Sequence, residues 1–221
     1  MSAPAPLLLV AASGLAREVL AAVRARGERA VAGILDDDLE RRGTEVDGVR
    51  VLGAIEEIKD HPDAQVVLCV GRGGGRERLA ARFSSAGVGA DRYATVLHPS
   101  VRVPAGCAVG AGSVLLAGVV LTAAVRVGRH VVLMPNCTLT HDDVLADFAT
   151  VCAGVTLGGG VRVGRGAYLG MNASVREHVV VGAGATLGMG AALLADLPAG
   201  QTWAGVPARP VRAGSGTSAR P

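Results

Sequence analysis

From Leu97 onward every sixth residue is Leu or Val: Leu97, Val103, Val109, Leu115, Leu121, Val127, Leu133, Leu139, Leu145, Val151, Leu157, Val163, Leu169, Val175, Val181, Leu187 and Leu193. The run has seventeen members and no insertion, in a chain of which about a quarter is Leu or Val, so chance does not produce it. A period of six fits neither a helix nor a simple alternating strand. It fits a parallel β-helix built from hexapeptide repeats. Each six supplies one short strand and a corner, and three sixes close a triangular coil. The Leu or Val points into the prism. The fifth residue of each six also points inward and is small or branched, as at Cys107, Ser113, Val131, Ala149 and Ala173. Gly often follows the first residue (Gly110, Gly128, Gly158, Gly164, Gly170, Gly182, Gly188), and it is expected to serve corners where φ turns positive. At strand spacing, seventeen sixes give a prism about 27 Å long. Such an array is stable only as a stack with covered ends. Trp203, the single Trp, is expected to help cover one end.

Composition agrees with a left-handed prism filled by Leu, Val and Ala. Half of the 221 residues are hydrophobic, yet only 2% are aromatic. The net charge is +3, and the basic residues are dispersed without aromatic interleaving, so nucleic-acid binding is not expected. No apolar run is long enough for a membrane span, and residues 1–6 do not read as a secretory signal. Cys69, Cys107, Cys137 and Cys152 lack zinc spacing, so no metal is expected. They read as reduced residues of a cytoplasmic protein.

Ahead of the repeats, strands are predicted at 7–12, 30–35, 49–52, 65–70 and 93–96. Helices are predicted at 15–26, 54–59 and 76–86. This alternation implies a small parallel, Rossmann-like α/β sheet over residues 1–95. The prism follows over 96–212, and 213–221 reads as a disordered tail. In such sheets a ligand sits beyond the carboxyl ends of the strands. Those ends place Gly14 and Gly71 at one crevice. The first helix start suits a phosphate, and Asp36 and Asp37 suit a ribose or base. A strict G-x-G-x-x-G is absent, with Ala11 where glycine is wanted, so a nucleotide sugar fits better than NAD. A sheet with only a structural role is the alternative.

One polar cluster interrupts the prism: Asn136, then Thr138, Thr140, His141, Asp142 and Asp143. His141 falls third in its six, an outward position. Asn136 falls fourth, at a corner. Asp143 falls fifth, where a carboxylate is costly unless it is hydrogen-bonded or displaced outward. An outward imidazole beside acids can take a proton from an attacking amine or hydroxyl. A solvated wall histidine is the alternative, as expected for His61, His98, His130 and His178.

The chain resembles the NeuD-type sugar O- and N-acyltransferases, hexapeptide-repeat enzymes that include nucleotide amino-sugar N-acetyltransferases of bacillosamine and perosamine pathways. The resemblance runs from about residue 7 to residue 212. ASGLAREVL and GILDDD look like the family's opening, and VLCVG with ATVLHPSV like its passage into the repeats. NCTLTHDDV looks like its His-acid signature, LGMNASV like a G-[IM]-N segment and WAGVPAR like its close. The resemblance implies an acetyl-CoA-dependent acetyltransferase. His141 would be the general base, Asp142 its orienting partner, and Asn136 a positioning group for the acceptor. Gly14, Asp36, Asp37 and Gly71 would hold the nucleotide. Coenzyme A would run along Gly154, Gly170, Met171, Asn172, Gly188 and Gly190, in a groove between the prisms of a homotrimer. Three positions depart from the family pattern. Asp143 replaces a Cys, Thr150 replaces a His near the thioester, and Ala11 replaces a Gly.

Direct transfer, without an acyl-enzyme, is the expected mechanism. Cys137 points inward and Cys152 has no adjacent base. Competing readings are a sugar O-acetyltransferase of the sialic-acid type, a zinc lyase on the same prism, and a noncatalytic trimeric scaffold.

Overall fold

The computed structural model describes residues 5–211. The tail expected at 213–221, and the first four residues of the expected loose N-terminal end, lie outside that range.

The N-terminal sheet contains β1 (Leu7–Val10), β2 (Val31–Leu35), β3 (Glu45–Val46), β4 (Val49–Gly53) and β5 (Gln65–Leu68), in the order β3-β4-β2-β1-β5. All pairs are parallel except β3 with β4. β1 is central, and its LLLV run is wholly buried, as a strand covered on both faces requires. Helix α1 (Gly14–Arg26) starts at Ser13, whose hydroxyl accepts from Ala16 N–H, and stops at Gly27 with φ 70°. It buries Leu15, Val19, Leu20 and Val23, the apolar face legible in the sequence. The short helix expected at 54–59 is a 3-10 helix, Ile55–Asp60. Helix α2 (Gly73–Ser85) begins three residues earlier than predicted. A Cβ at Gly73 would collide with the Phe148 carbonyl of the prism, so this helix start has to be bare.

The expected strand at 93–96 divides. Tyr93 makes a single bridge to Val66, while Val96 and Leu97 already pair with Val114 and Leu115 of the prism. From there sixteen two-residue strands form three parallel walls, each strand pairing with the one eighteen residues on. The first wall carries Leu115, Leu133, Val151 and Leu169, the second Leu121, Leu139, Leu157 and Val175, the third Val127, Leu145, Val163 and Val181. Val103 is the one member of the six-residue series that forms no strand, and it is exposed, because the first coil is incomplete. Trp203 packs against the prism core beyond the last coils.

The structure reassigns the glycines. The residues with positive φ stand fourth in their sixes: Gly112, Gly118, Ala124, His130, Asn136, Asp142 and onward. Asn, Asp and His are the side chains that tolerate this region best, which accounts for the polar residues at the corners. The glycines in second position do not have positive φ. They are bare because the next coil passes over them. A Cβ at Gly170 would lie 2.5 Å from the Met189 backbone nitrogen, and one at Gly164 2.5 Å from that of Ala183.

The N-terminal domain sits on the first wall. Val96, Val114, Leu116 and Val132 share one buried cluster with Leu7, Leu9, Leu15 and Val67. Arg76 of α2 crosses this junction wholly buried. Its guanidinium donates to the carbonyls of Val70 and Gly71 at the end of β5, to those of His130, Phe148 and Ala149, and to Thr150 Oγ1. Among the described residues no carboxylate pairs with it, and burial lowers its pKa to about 10.

Candidate active site

His141 lies on the edge between the second and third walls. Leu139 anchors the strand before it, and the turn projects the imidazole outward, where it is largely exposed. Nδ1 lies 2.9 Å from Asp142 Oδ2. An ionised Asp142 accepts from Nδ1–H, which leaves Nε2 with its lone pair free. The ring leans along the prism axis over Gly159, the residue one coil on, where a Cβ would overlap Nε2. That next corner is Gly158, Gly159 and Gly160, with no side chain to cover the imidazole. Among the described residues Gly159 N–H has no hydrogen-bond acceptor, while its carbonyl accepts from His178 N–H.

Asp143 turns inward and is fully buried. Oδ2 accepts from Thr140 N–H at 2.8 Å and Oδ1 from Val161 N–H at 2.8 Å. Burial pushes its pKa up to about 6 against the opposing effect of these bonds. Of the two outcomes open from the sequence, the carboxylate is hydrogen-bonded and not displaced.

Asn136 lies on a different edge, between the first and second walls, with φ 61°. Asn172 occupies the same edge two coils on, as a spacing of 36 residues requires, with φ 57°. Gly154 and Gly190 continue the column at positive φ, and the side-chain oxygens of Asn136 and Asn172 lie over Gly118 and Gly154. Met171 and Met189 stand exposed beside it, 48% and 72% accessible, with the bare Gly170 and Gly188 behind them. Within one chain the second wall separates this column from His141.

The nucleotide candidates also separate into two hollows, one on each side of the β1–α1 loop. One, of about 460 Å³, holds Asp36 and Asp37 with Ala11, Arg78 and Arg82. Asp36 organises its loop by accepting from Ala12 N–H and Asp38 N–H. Asp37 is held by Arg82, which lowers its pKa. Ala11 has φ 79° and donates to the Leu35 carbonyl, so it keeps the backbone shape that a glycine would adopt. The other hollow, of about 690 Å³, lies between α1 and the prism and holds Gly14, Gly71, Glu18 and Met134. Arg72 stands nearby, its guanidinium 3.9 Å from the centre of the Tyr168 ring.

Thr150 is not beside His141. It is buried under the N-terminal domain on the first wall, accepting from Arg76 and donating to the Gly71 carbonyl at 2.9 Å. Arg76 was not legible as a special residue, because 21 other basic residues surround it in the composition. The cysteines are all free thiols. Cys137 points into the core, with its thiol raised to about 12 by burial, and burial raises that of Cys152 as well. Neither is poised as a nucleophile. His130 is buried against Phe148 and Tyr93, and burial lowers its pKa to about 4. Among the described residues no three His, Cys, Asp or Glu side chains gather as a metal requires, and no helix is long and apolar enough to cross a membrane.

Comparisons with known proteins now bear on this geometry. Residues 6–83 match the family described as the PglD N-terminal domain. Across 93% of the chain the structure is similar to the acetyltransferase domain of PglB from Neisseria gonorrhoeae, at 28% identity, 99% of that chain and a TM-score of 0.84. It is equally similar to PerB from Caulobacter crescentus, solved in complex with CoA and GDP-perosamine, at 28% identity, 97% of that chain and a TM-score of 0.85. WeeI from Acinetobacter baumannii shares the fold, at 22% identity, 93% of this chain, 99% of that one and a TM-score of 0.65. A comparison with curated proteins gives no match. Fold, repeats and relatives together define an acyltransferase of the hexapeptide-repeat class. Within that class the match over residues 6–83 and the likeness to the PglB and PerB structures support the resemblance to the NeuD-type sugar acyltransferases.

Proposed function

We propose that the protein transfers an acetyl group from acetyl-CoA to the amine of a nucleotide-linked amino sugar, with His141 as general base. The observation that carries this reading is the pairing of His141 Nδ1 with Asp142 beneath a bare glycine corner. It leaves Nε2 against Gly159 with no hydrogen-bond partner among the described residues, and the Gly159 N–H is likewise unused. The PerB complex with CoA and GDP-perosamine supports both the donor and the acceptor class.

The acceptor nitrogen attacks the thioester carbonyl carbon as Nε2 takes its proton. The new C–N bond forms, the oxyanion accepts from Gly159 N–H, and the C–S bond then breaks with the proton passing to the coenzyme A sulfur. Asp142 holds the imidazole and balances its positive charge. Asp36, Asp37, Gly14 and Gly71 belong to the acceptor's nucleotide end. Gly154, Gly170, Met171, Asn172, Gly188 and Gly190 form a wall for coenzyme A, and Asn136 lies where the acceptor would pass. The separation of these sets on one chain favours a site shared between copies. The exposed face of the second wall carries Val120, Thr138, Thr156, Ser174 and Ala192, small enough for a second prism to approach. We assign the homotrimer and its intersubunit groove on that basis. Ala11, by keeping a glycine-like loop, favours a nucleotide-linked acceptor over a free sugar.

The test is thiol release from acetyl-CoA against UDP-, GDP- and dTDP-linked amino sugars. Turnover on one of them supports the reading and names the sugar. Turnover only on hydroxyl acceptors would replace it with O-acetyl transfer, and failure to bind coenzyme A would overturn it.

A further inference from the structure

The regular hydrogen bonding of the prism changes around the coil that carries His141. In other coils the second residue of a six donates to the first residue of the next coil, as Thr122 N–H does to Leu139 O and Gly158 N–H to Val175 O. Thr140 N–H does not. It turns to Asp143 Oδ2, and the Thr140 hydroxyl takes over the Leu157 carbonyl at 3.0 Å. In most sixes the fifth residue closes its own turn, as Val155 N–H does to Cys152 O, Ala167 to Gly164 and Val179 to Arg176. Val161 N–H instead reaches back one coil to Asp143 Oδ1. Ser113 makes a neutral version of the same link, accepting from Val131 N–H at 3.0 Å.

The two donors belong to the two turns that matter. Thr140 precedes His141. Val161 follows Gly158, Gly159 and Gly160, a run with no side chain of its own to fix it and with the backbone freedom of glycine. We propose that Asp143 is a positioning residue, whose buried carboxylate clamps the His141 turn to the Gly159 turn and so sets the distance between the base and the oxyanion donor. This rests on the proposed role of His141. The anion is the state that clamps, since a protonated carboxyl presents a hydroxyl hydrogen to one of the two N–H groups. The charged groups facing it are His141 and Asp142 on its own turn. The inward neighbours in the coils on either side, Val125 and Val161, are apolar.

The test uses Asp143→Ala and Asp143→Asn beside wild type, with oligomeric state and thermal unfolding as fold controls. The expected result is a fall in kcat of about 10- to 100-fold with both KM values within about threefold, since misplacement by a fraction of an ångström costs rate more than binding. The acid side of the wild-type kcat profile should be steeper than that of either variant, because two groups must lose protons rather than one. Hydrogen exchange of peptides covering Thr140 and Val161 should be about tenfold faster or more in Asp143→Ala, as loss of two bonds to a carboxylate implies. Exchange needs no substrate. A wild-type protein that transferred no acetyl group would sink the proposed function, while exchange would still decide whether the clamp exists. Folded variants with unchanged kcat, pH profile and exchange would overturn the inference, and Asp143→Asn serves if Asp143→Ala does not fold.

Discussion

Asp143 makes the protein less stable at neutral pH than it is in mild acid. An aspartate in an unfolded chain titrates near 3.8, whereas burial in the prism raises this one to about 6. A shift of about two units corresponds to about 3 kcal/mol between the two protonation states. The folded state holds the proton more tightly, so between these values it binds more protons than the unfolded state, and stability falls as pH rises. The contribution of this group is therefore most favourable below pH 4. It is lost as pH climbs through 6, and the full penalty is present above 7. Urea unfolding at one protein concentration, at pH 4.5, 6 and 7.5, measures it by difference against Asp143→Asn, so that His141 and Asp142 cancel. The account predicts that the stability of wild type relative to the variant drops by about 2 kcal/mol across this range, most of the full shift. A difference that stays constant with pH would refute the reasoning, because it would mean that Asp143 titrates alike in both states.

Arg76→Met should destabilise by about 3–5 kcal/mol, since it strands buried acceptors on both sides of the domain junction. Calorimetry should then separate the N-terminal domain from the prism as an earlier transition. Gly170→Ala should cost about 1–3 kcal/mol in denaturant unfolding, because its Cβ meets backbone rather than a side chain that can turn aside. Ala11→Gly should be neutral or stabilising by up to about 1 kcal/mol, as relief of the left-handed conformation offsets the added chain entropy of glycine.

The walls were legible because a six-residue period leaves one solution. Leu115, Leu133 and Val151 stack in register as the repeat requires. The corners were less so, because the sequence gives a residue type and not the reason for it. Gly170 is bare for want of space between coils, and the positive φ falls to Asn136, Asp142 and Asn172 two positions later in their sixes. The outward direction of His141 and the inward one of Asp143 followed from counting alone. What counting did not show is that Asp143 binds two N–H groups of different coils, or that Thr150 and Arg76 join the domains. Such long-range partners depend on how the domains pack, which no local period records. The two hollows around the β1–α1 loop were merged into one crevice for the same reason, since strand ends specify a side of the sheet but not which loop divides it.

The central claim is that His141 is the base, and the most direct measurement is thiol release by His141→Ala beside wild type, at saturating acetyl-CoA and a competent nucleotide amino sugar. The account predicts a loss of about 100- to 10,000-fold in kcat with coenzyme A binding retained. A variant that binds coenzyme A and keeps its rate within about tenfold of wild type, less than a general base contributes, would contradict it.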